Sequence, residues 1–116
     1  MLALANTLGL LPFTFERQDM KPSTALQLHR DAIRRIVLKN DAANPRVFGS
    51  VVHGNDSETS DLDLLVDPIK GKTTLFSLAS IQIEVQDLTG VKTDVLTPLA
   101  LHERFRGVVL SEAVPV

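Results

Sequence analysis

Apolar residues recur along this chain at helical spacing in two long segments and in short extended runs elsewhere. The first helical segment begins at a cap, Ser23 or Thr24, and reaches about Lys39. The second covers Thr73 to Leu88 and is followed by Gly90, where a C-cap glycine belongs. The positions predicted to face inward are Leu26, Ile33, Ile36 and Val37 in the first segment and Leu75, Leu78, Ile81, Val85 and Leu88 in the second.

Three extended runs predict strands over residues 46–48, 62–66 and 91–96. Pro45 biases the residue before it away from the helical region, so it separates the first helix from the first strand. Pro98 fits the first turn of a short helix through about Phe105, and an apolar tail follows that helix. The resulting order α-β-β-α-β-α predicts an α/β (α+β) fold, in which helices pack on a small mixed sheet.

Composition narrows the class of protein. The 116 residues are enough for one domain with one modest core. A net charge of -2 and 4% aromatic residues do not suit direct nucleic-acid binding, which usually needs a basic face or stacking aromatics. The absence of cysteine excludes a disulfide framework, a thiolate metal site and a cysteine nucleophile. We therefore expect a cytoplasmic protein.

The N-terminal stretch MLALANTLGLLPFTF is apolar, but no Lys or Arg precedes it as in a signal peptide. It is also shorter than the ~20 residues that a membrane-spanning helix needs. We interpret residues 1–19 as a peripheral or poorly ordered extension and residues 20–116 as the domain. No association with a membrane is expected.

Two aspartates, Asp61 and Asp63, stand at the beginning of the apolar strand 62–66. Because side chains alternate along a strand, both carboxylates point to the same face. Two carboxylates so close together repel each other and lose solvation, so the pair is costly unless a cation holds it. Mg2+ is the predicted cation, since it prefers oxygen ligands and is usually held by carboxylates together with substrate phosphates.

A glycine–serine pair, Gly49-Ser50, stands at the end of the strand before these aspartates. Glycine lets the backbone approach a ligand closely, and the following amides and the Ser50 hydroxyl can donate to phosphate oxygens. Asp94, in the third predicted strand, is a candidate third carboxylate. The pattern therefore favours a site for a nucleoside triphosphate and Mg2+.

Gly49-Ser50, followed after ten residues by Asp61-x-Asp63 and later by Asp94, resembles the nucleotidyltransferase signature of the DNA polymerase beta superfamily. The short length of the chain resembles the minimal branch of that superfamily, the MNT domains. Other matching stretches are RVFGS, SDLDLLVD, the TLFSL helix start and the VKTDVLTP strand, and the resemblance covers roughly residues 21–115. It implies the polymerase-beta-like fold, with the third strand beside the second.

The resemblance also implies a role for each site residue. Gly49 and Ser50 would bind the triphosphate, and His53 and Gly54 would be further nucleotide-binding residues beside them. Asp61, Asp63 and Asp94 would be the catalytic carboxylates and would bind the metal, as two Mg2+ ions. Many family members have Arg where this chain has His53, and a neutral His holds phosphate less well than Arg. His53 is therefore interpreted either as a phosphate contact or as a loop surface residue.

MNT proteins are typically antitoxins paired with a HEPN-domain ribonuclease toxin. The resemblance thus implies a protein adenylyltransferase that transfers AMP from ATP to a tyrosine of that toxin. An acceptor held by a partner also agrees with the size of the chain, which leaves no residues for a second, acceptor-binding domain. Two alternatives stay open: an antitoxin that masks its toxin without catalysis, and a nucleotidyltransferase acting on a small molecule.

Overall fold

The computed structural model of the protein describes residues 20–116, so the predicted N-terminal extension, residues 1–19, lies outside the described residues. The α-helices are α1 (Pro22–Lys39), α2 (Ser50–His53), α3 (Leu75–Thr89) and α4 (Glu103–Glu112). The strands are β1 (Ala42–Phe48), β2 (Leu62–Pro68), β3 (Thr93–Leu96) and β4 (Val114–Pro115), and a 3-10 helix covers Pro98–Ala100. No helix within residues 20–116 is long and apolar enough to cross a membrane.

The strands form one mixed sheet in the order β3-β2-β1-β4. β1 runs antiparallel to both β2 and β4, whereas β2 and β3 are parallel. A parallel pair needs a crossover connection, and α3 supplies it between β2 and β3. The predicted α/β fold with a small mixed sheet is confirmed.

The two faces of β2 have different surroundings. Leu62, Leu64 and Val66 are fully buried in the main core, beneath α1 and α3. Asp63 and Leu65 lie on the opposite face, as the alternation of a strand requires. The 3-10 helix lies against β2, and Leu65 is also fully buried. One strand therefore contributes to the core with one face and to a candidate site with the other.

The main core agrees largely with the sequence pattern. Three of the four positions predicted to face inward in the first helix, Leu26, Ile33 and Val37, are buried in this core. Ile36, Leu78 and Leu88 are partly buried and pack against it. The prediction that Leu75 faces inward is wrong, because this residue is 84% exposed. It is the first residue of α3, directly after the N-cap Thr74, so it lies too early in the helix to reach the core.

The ends of several elements differ from the predictions. α1 begins at Pro22 with Lys21 as its N-cap, so the predicted cap at Ser23 or Thr24 is wrong. β1 begins at Ala42, because the sheet accommodates Pro45 at a change of register between Ala43 and Arg46. Proline is tolerated at such bulges since they lack a ladder hydrogen bond.

The C-terminal segment is more regular than predicted. Instead of one helix from Pro98 to about Phe105, the chain forms the 3-10 helix and then α4, which extends to Glu112. Arg106 fixes this arrangement by donating to the carbonyl oxygens of Pro98 and Leu101, each at 3.0 Å. The predicted apolar tail also contains β4, a fourth strand that completes the sheet beside β1.

We expect Ile81→Ala to lower the free energy of unfolding by about 3 kcal/mol, because it leaves a cavity in the core. Ile83→Ala is the matched control: Ile81 is fully buried and Ile83 on the same helix is 50% exposed. The control should cost at most about 1 kcal/mol. Urea unfolding of both variants measures the difference, and equal losses would contradict the assigned orientation of α3.

Candidate functional site

Asp63 and Asp94 are brought together by the parallel pairing of β2 and β3. Asp63 is the second residue of β2 and lies in register with Asp94 on one side and Phe48 of β1 on the other. Paired residues on neighbouring strands point to the same face of a sheet, so the two carboxylates lie side by side. The sheet thus assembles two of the three aspartates singled out in the sequence, 31 residues apart.

The electrostatics of Asp63 reflect this crowding. Burial, followed by the neighbouring charges of Asp94 and Asp61, raises the pKa of Asp63 to about 6. Both causes disfavour a negative charge on its carboxylate. A cation at this position would act in the opposite direction, because it would neutralise the repulsion among the three carboxylates.

Asp61 lies just before β2, and its Oδ2 atom is 3.9 Å from Nζ of Lys92. Among residues 20–116, no group of three or more His, Asp or Glu side chains is arranged to hold a metal ion. The chemistry of the donors nevertheless fits a hard divalent cation, since all three are carboxylates and their charges repel. The metal-binding role of Asp61, Asp63 and Asp94 therefore stays a prediction.

Gly49 joins the end of β1 to α2 in a conformation that favours glycine, with φ 77° and ψ -143°. A Cβ atom at this position would collide with Oδ2 of Asp63. The backbone of Gly49 therefore packs directly against the carboxylate. This contact brings the predicted phosphate-binding residues, Gly49 and Ser50, to the same place as Asp63.

The short helix α2 begins at Ser50, the second residue of the glycine–serine pair, and Gly49 is its N-cap. Gly54 ends it in the left-handed conformation, with φ 73°, and nothing lies within 4 Å of the position that its Cβ would occupy. The left-handed turn out of α2 therefore favours glycine at position 54. Its contact with a nucleotide stays a prediction, as do those of Gly49 and Ser50.

His53 is bonded to the C-terminal helix. Its Nε2 atom is 2.8 Å from Oε2 of Glu112, near the end of α4, and its side chain is half exposed. This geometry is that of a residue on the protein surface, and the phosphate contact of His53 stays a prediction. The sequence offered no signal for this contact, since its partners are 59 positions apart.

Known proteins are similar to this chain in sequence and in fold. The family described as "Nucleotidyltransferase domain" matches residues 28–116. A protein of Methanocaldococcus jannaschii, "Putative protein adenylyltransferase MJ0435", is 36% identical over 81 residues, which are 70% of this chain and 86% of that protein. A solved structure, "Structure of putative minimal nucleotidyltransferase", is 38% identical with a TM-score of 0.73, and the match covers 84% of this chain and 97% of that one.

A more distant solved structure contains a toxin and its antitoxin. It is a tri-AMPylated HEPN toxin of Shewanella oneidensis in complex with MNT antitoxin, with a TM-score of 0.57 and 13% identity. The match covers 77% of this chain and 69% of that one. At this identity the similarity establishes a shared fold and nothing finer.

We expect Asp63→Asn to raise the free energy of unfolding by about 1–2 kcal/mol at pH 7.5, where the wild-type carboxylate is charged and disfavoured. The pKa of Asp63 in the folded protein, about 6, lies above the ordinary aspartate value of 3.8. Folded Asp63 thus binds more protons between these values, and wild-type stability falls as pH rises through them. The advantage of the variant should therefore shrink towards zero below pH ~4, as urea unfolding across pH would measure.

Asp67→Asn provides the contrast for that experiment. Asp67 lies farther along β2, where its Oδ1 accepts from Nη2 of Arg46 at 2.5 Å and its Oδ2 from Asn44 at 2.9 Å. Removing this charge should lower stability at pH 7.5 by up to about 1 kcal/mol. If Asp63→Asn also lowered stability at pH 7.5, its carboxylate would not be under electrostatic strain.

We expect Gly49→Ala to lower the free energy of unfolding by roughly 2–4 kcal/mol, from the backbone conformation together with the collision with Asp63. Gly71→Ala is the matched control, since Gly71 also has a positive φ, 79°, but open space around it. It should cost about 1 kcal/mol.

Combining Gly49→Ala with Asp63→Ala removes the colliding oxygen, so a double-mutant cycle should show a favourable interaction. Additive losses would refute the close contact.

Proposed function

This chain belongs to the nucleotidyltransferase domain family, and from that premise we propose that it is an antitoxin that transfers AMP from ATP to a tyrosine of a HEPN ribonuclease toxin in an Mg2+-dependent reaction. The observation that carries the proposal is the placement of Asp63 beside Asp94, with the backbone of Gly49 against the Asp63 carboxylate. This arrangement supports the proposal because it brings the turn that would bind phosphate to the carboxylates that would bind metal.

The relatives support both parts of this proposal. The name of the M. jannaschii protein, with which this chain shares 36% identity, points to protein adenylylation as the reaction. The S. oneidensis complex, which shares the fold, contains an AMPylated HEPN toxin with its MNT antitoxin. Together they favour a toxin protein as the partner that accepts AMP.

Asp61, Asp63 and Asp94 would hold two Mg2+ ions. The metal would supply charge stabilisation for the triphosphate and the departing pyrophosphate. In the proposed reaction, the backbone amides after Gly49 and the Ser50 hydroxyl donate hydrogen bonds to phosphate oxygens and orient the triphosphate. Asp94 takes the proton of the tyrosine hydroxyl as its oxygen bonds to the α-phosphorus, and the bond from that phosphorus to the β-phosphate breaks.

A second candidate, an antitoxin that masks its toxin by binding alone, is favoured by a different observation. Asp61 lies near Lys92, and His53 contacts Glu112. Oδ2 of Asp61 and Nε2 of His53 thus contact side chains of the protein itself, and a protein that acts by masking can keep both contacts.

We expect mass spectrometry to detect AMP on the protein encoded by the neighbouring gene after incubation with this protein, ATP and Mg2+. The added mass should disappear for Asp61→Asn/Asp63→Asn, because the metal would lose two ligands. Asp67→Asn, altered at the far end of β2, should retain the activity. Tight binding without added mass in any sample would overturn the proposed transfer and support the masking antitoxin.

A further inference from the structure

We propose that Asp56 is a positioning residue for Asp61: by capping α1 from a distant loop, it fixes the segment of residues 55–60 that leads to Asp61. The inference rests on the proposed metal-binding role of Asp61. It adds a residue to which neither the family signature nor the site described above gives a part. Asp56 acts through the backbone and is not itself proposed as a metal ligand.

The first observation concerns the N-terminus of α1. Its N-cap, Lys21, makes no side-chain hydrogen bond to the helix, and the first turn contains no acidic residue. The first amides of a helix have no partner within the helix, and a carboxylate there is favoured by the helix dipole. Oδ2 of Asp56 takes this place, since it accepts a hydrogen bond of 2.8 Å from the Ser23 amide.

The second observation concerns the loop itself. Asp56 is half buried, whereas Asn55 and Ser57 on either side of it are exposed. Directly after Asp56 the chain forms a closed turn, in which the Ser60 amide donates to the Ser57 carbonyl oxygen at 3.0 Å. The Ser57 amide donates in return to the Ser60 hydroxyl oxygen at 2.9 Å. This turn connects Asp56 firmly to the residue before Asp61.

The far end of the loop is fixed by the sheet. The Leu62 amide donates to the Lys92 carbonyl oxygen at 2.9 Å, where β2 begins. Asp61 therefore lies between a backbone anchored in the sheet and a turn anchored to α1 by Asp56. Asp63, within β2, is held by strands on both sides and does not depend on the loop. Loss of the Asp56 contact should thus displace Asp61 and spare Asp63.

A helix cap with no other role is the competing explanation, and Thr74→Ala separates the two. Thr74 caps α3 by accepting from the Ser77 amide, and it follows the end of β2 that is remote from Asp61 and Asp63. Asp56→Ala and Thr74→Ala should both lower the free energy of unfolding by similar amounts. Asp56→Asn keeps an oxygen acceptor for the Ser23 amide and should behave nearly as the wild type.

Calorimetric titration with a non-hydrolysable ATP analogue, with and without Mg2+, measures the site without requiring transfer. We expect Asp56→Ala to weaken the Mg2+-dependent binding about tenfold, as loss of a supporting contact behind a metal ligand typically does. Thr74→Ala should leave this binding unchanged, and Asp56→Asn should restore most of it. If Asp56→Ala left the Mg2+-dependent binding of the analogue unchanged, Asp56 would be a helix cap with no other role, and the inference would be overturned.

Amide hydrogen exchange distinguishes this failure from failure of the proposed function. In Asp56→Ala, the amides of residues 57–61 should exchange faster, whereas those of β2 and β3 should change no more than in Thr74→Ala. If the wild type bound no Mg2+ and analogue, the proposed function would fail while this experiment still tested the anchoring of the loop. Unchanged exchange at residues 57–61 would overturn the positioning role.

Discussion

The carboxylate of Asp63 lies at the centre of the sheet, with the backbone of Gly49 against it and Asp94 on the adjoining strand. The local structure around the site follows from this contact. A side chain at position 49 would collide with Asp63, and the backbone there needs a positive φ to enter α2. Glycine satisfies both requirements, so the turn predicted to bind phosphate lies directly against the carboxylate of Asp63.

This placement has a cost that the rest of β2 offsets. Burial and neighbouring charges disfavour ionised Asp63. On the other face of the same strand, Leu62, Leu64 and Val66 are fully buried. Apolar burial of this kind contributes about 1.5–3 kcal/mol for each large side chain, which is comparable with the cost of the carboxylate. The strand can therefore hold an unfavourable charge at the position where the proposed reaction would use it, as functional sites commonly do.

Polar contacts between distant segments determine the surroundings of the site. Asp56 connects the loop before Asp61 to α1, and His53 connects α2 to the end of α4. No residue of α4 is fully buried, and Arg106 ties its first turns to the preceding carbonyl oxygens. The loop before Asp61 and α4 are thus held mainly by hydrogen bonds and ion pairs, whereas β2 and β3 contribute to the core and Val51 and Val52 of α2 pack against it. Movement of the site's surroundings would therefore cost less than movement of its centre.

The sequence by itself determined the two long helices, the strand that follows Asp61 and contains Asp63, and the glycine–serine turn, because each depends on residues close together in the chain. The alternation of apolar and polar residues predicted that Leu62 and Leu64 lie on one face of the strand and Asp63 on the other, and the sheet has that arrangement. The pairing of Asp63 with Asp94 came only from the family resemblance until the tertiary structure placed β3 beside β2. The fourth strand, the exposure of Leu75 and the contacts of Asp56 and His53 were decided by tertiary structure alone. They depend on how distant segments meet in space, which no local periodicity records.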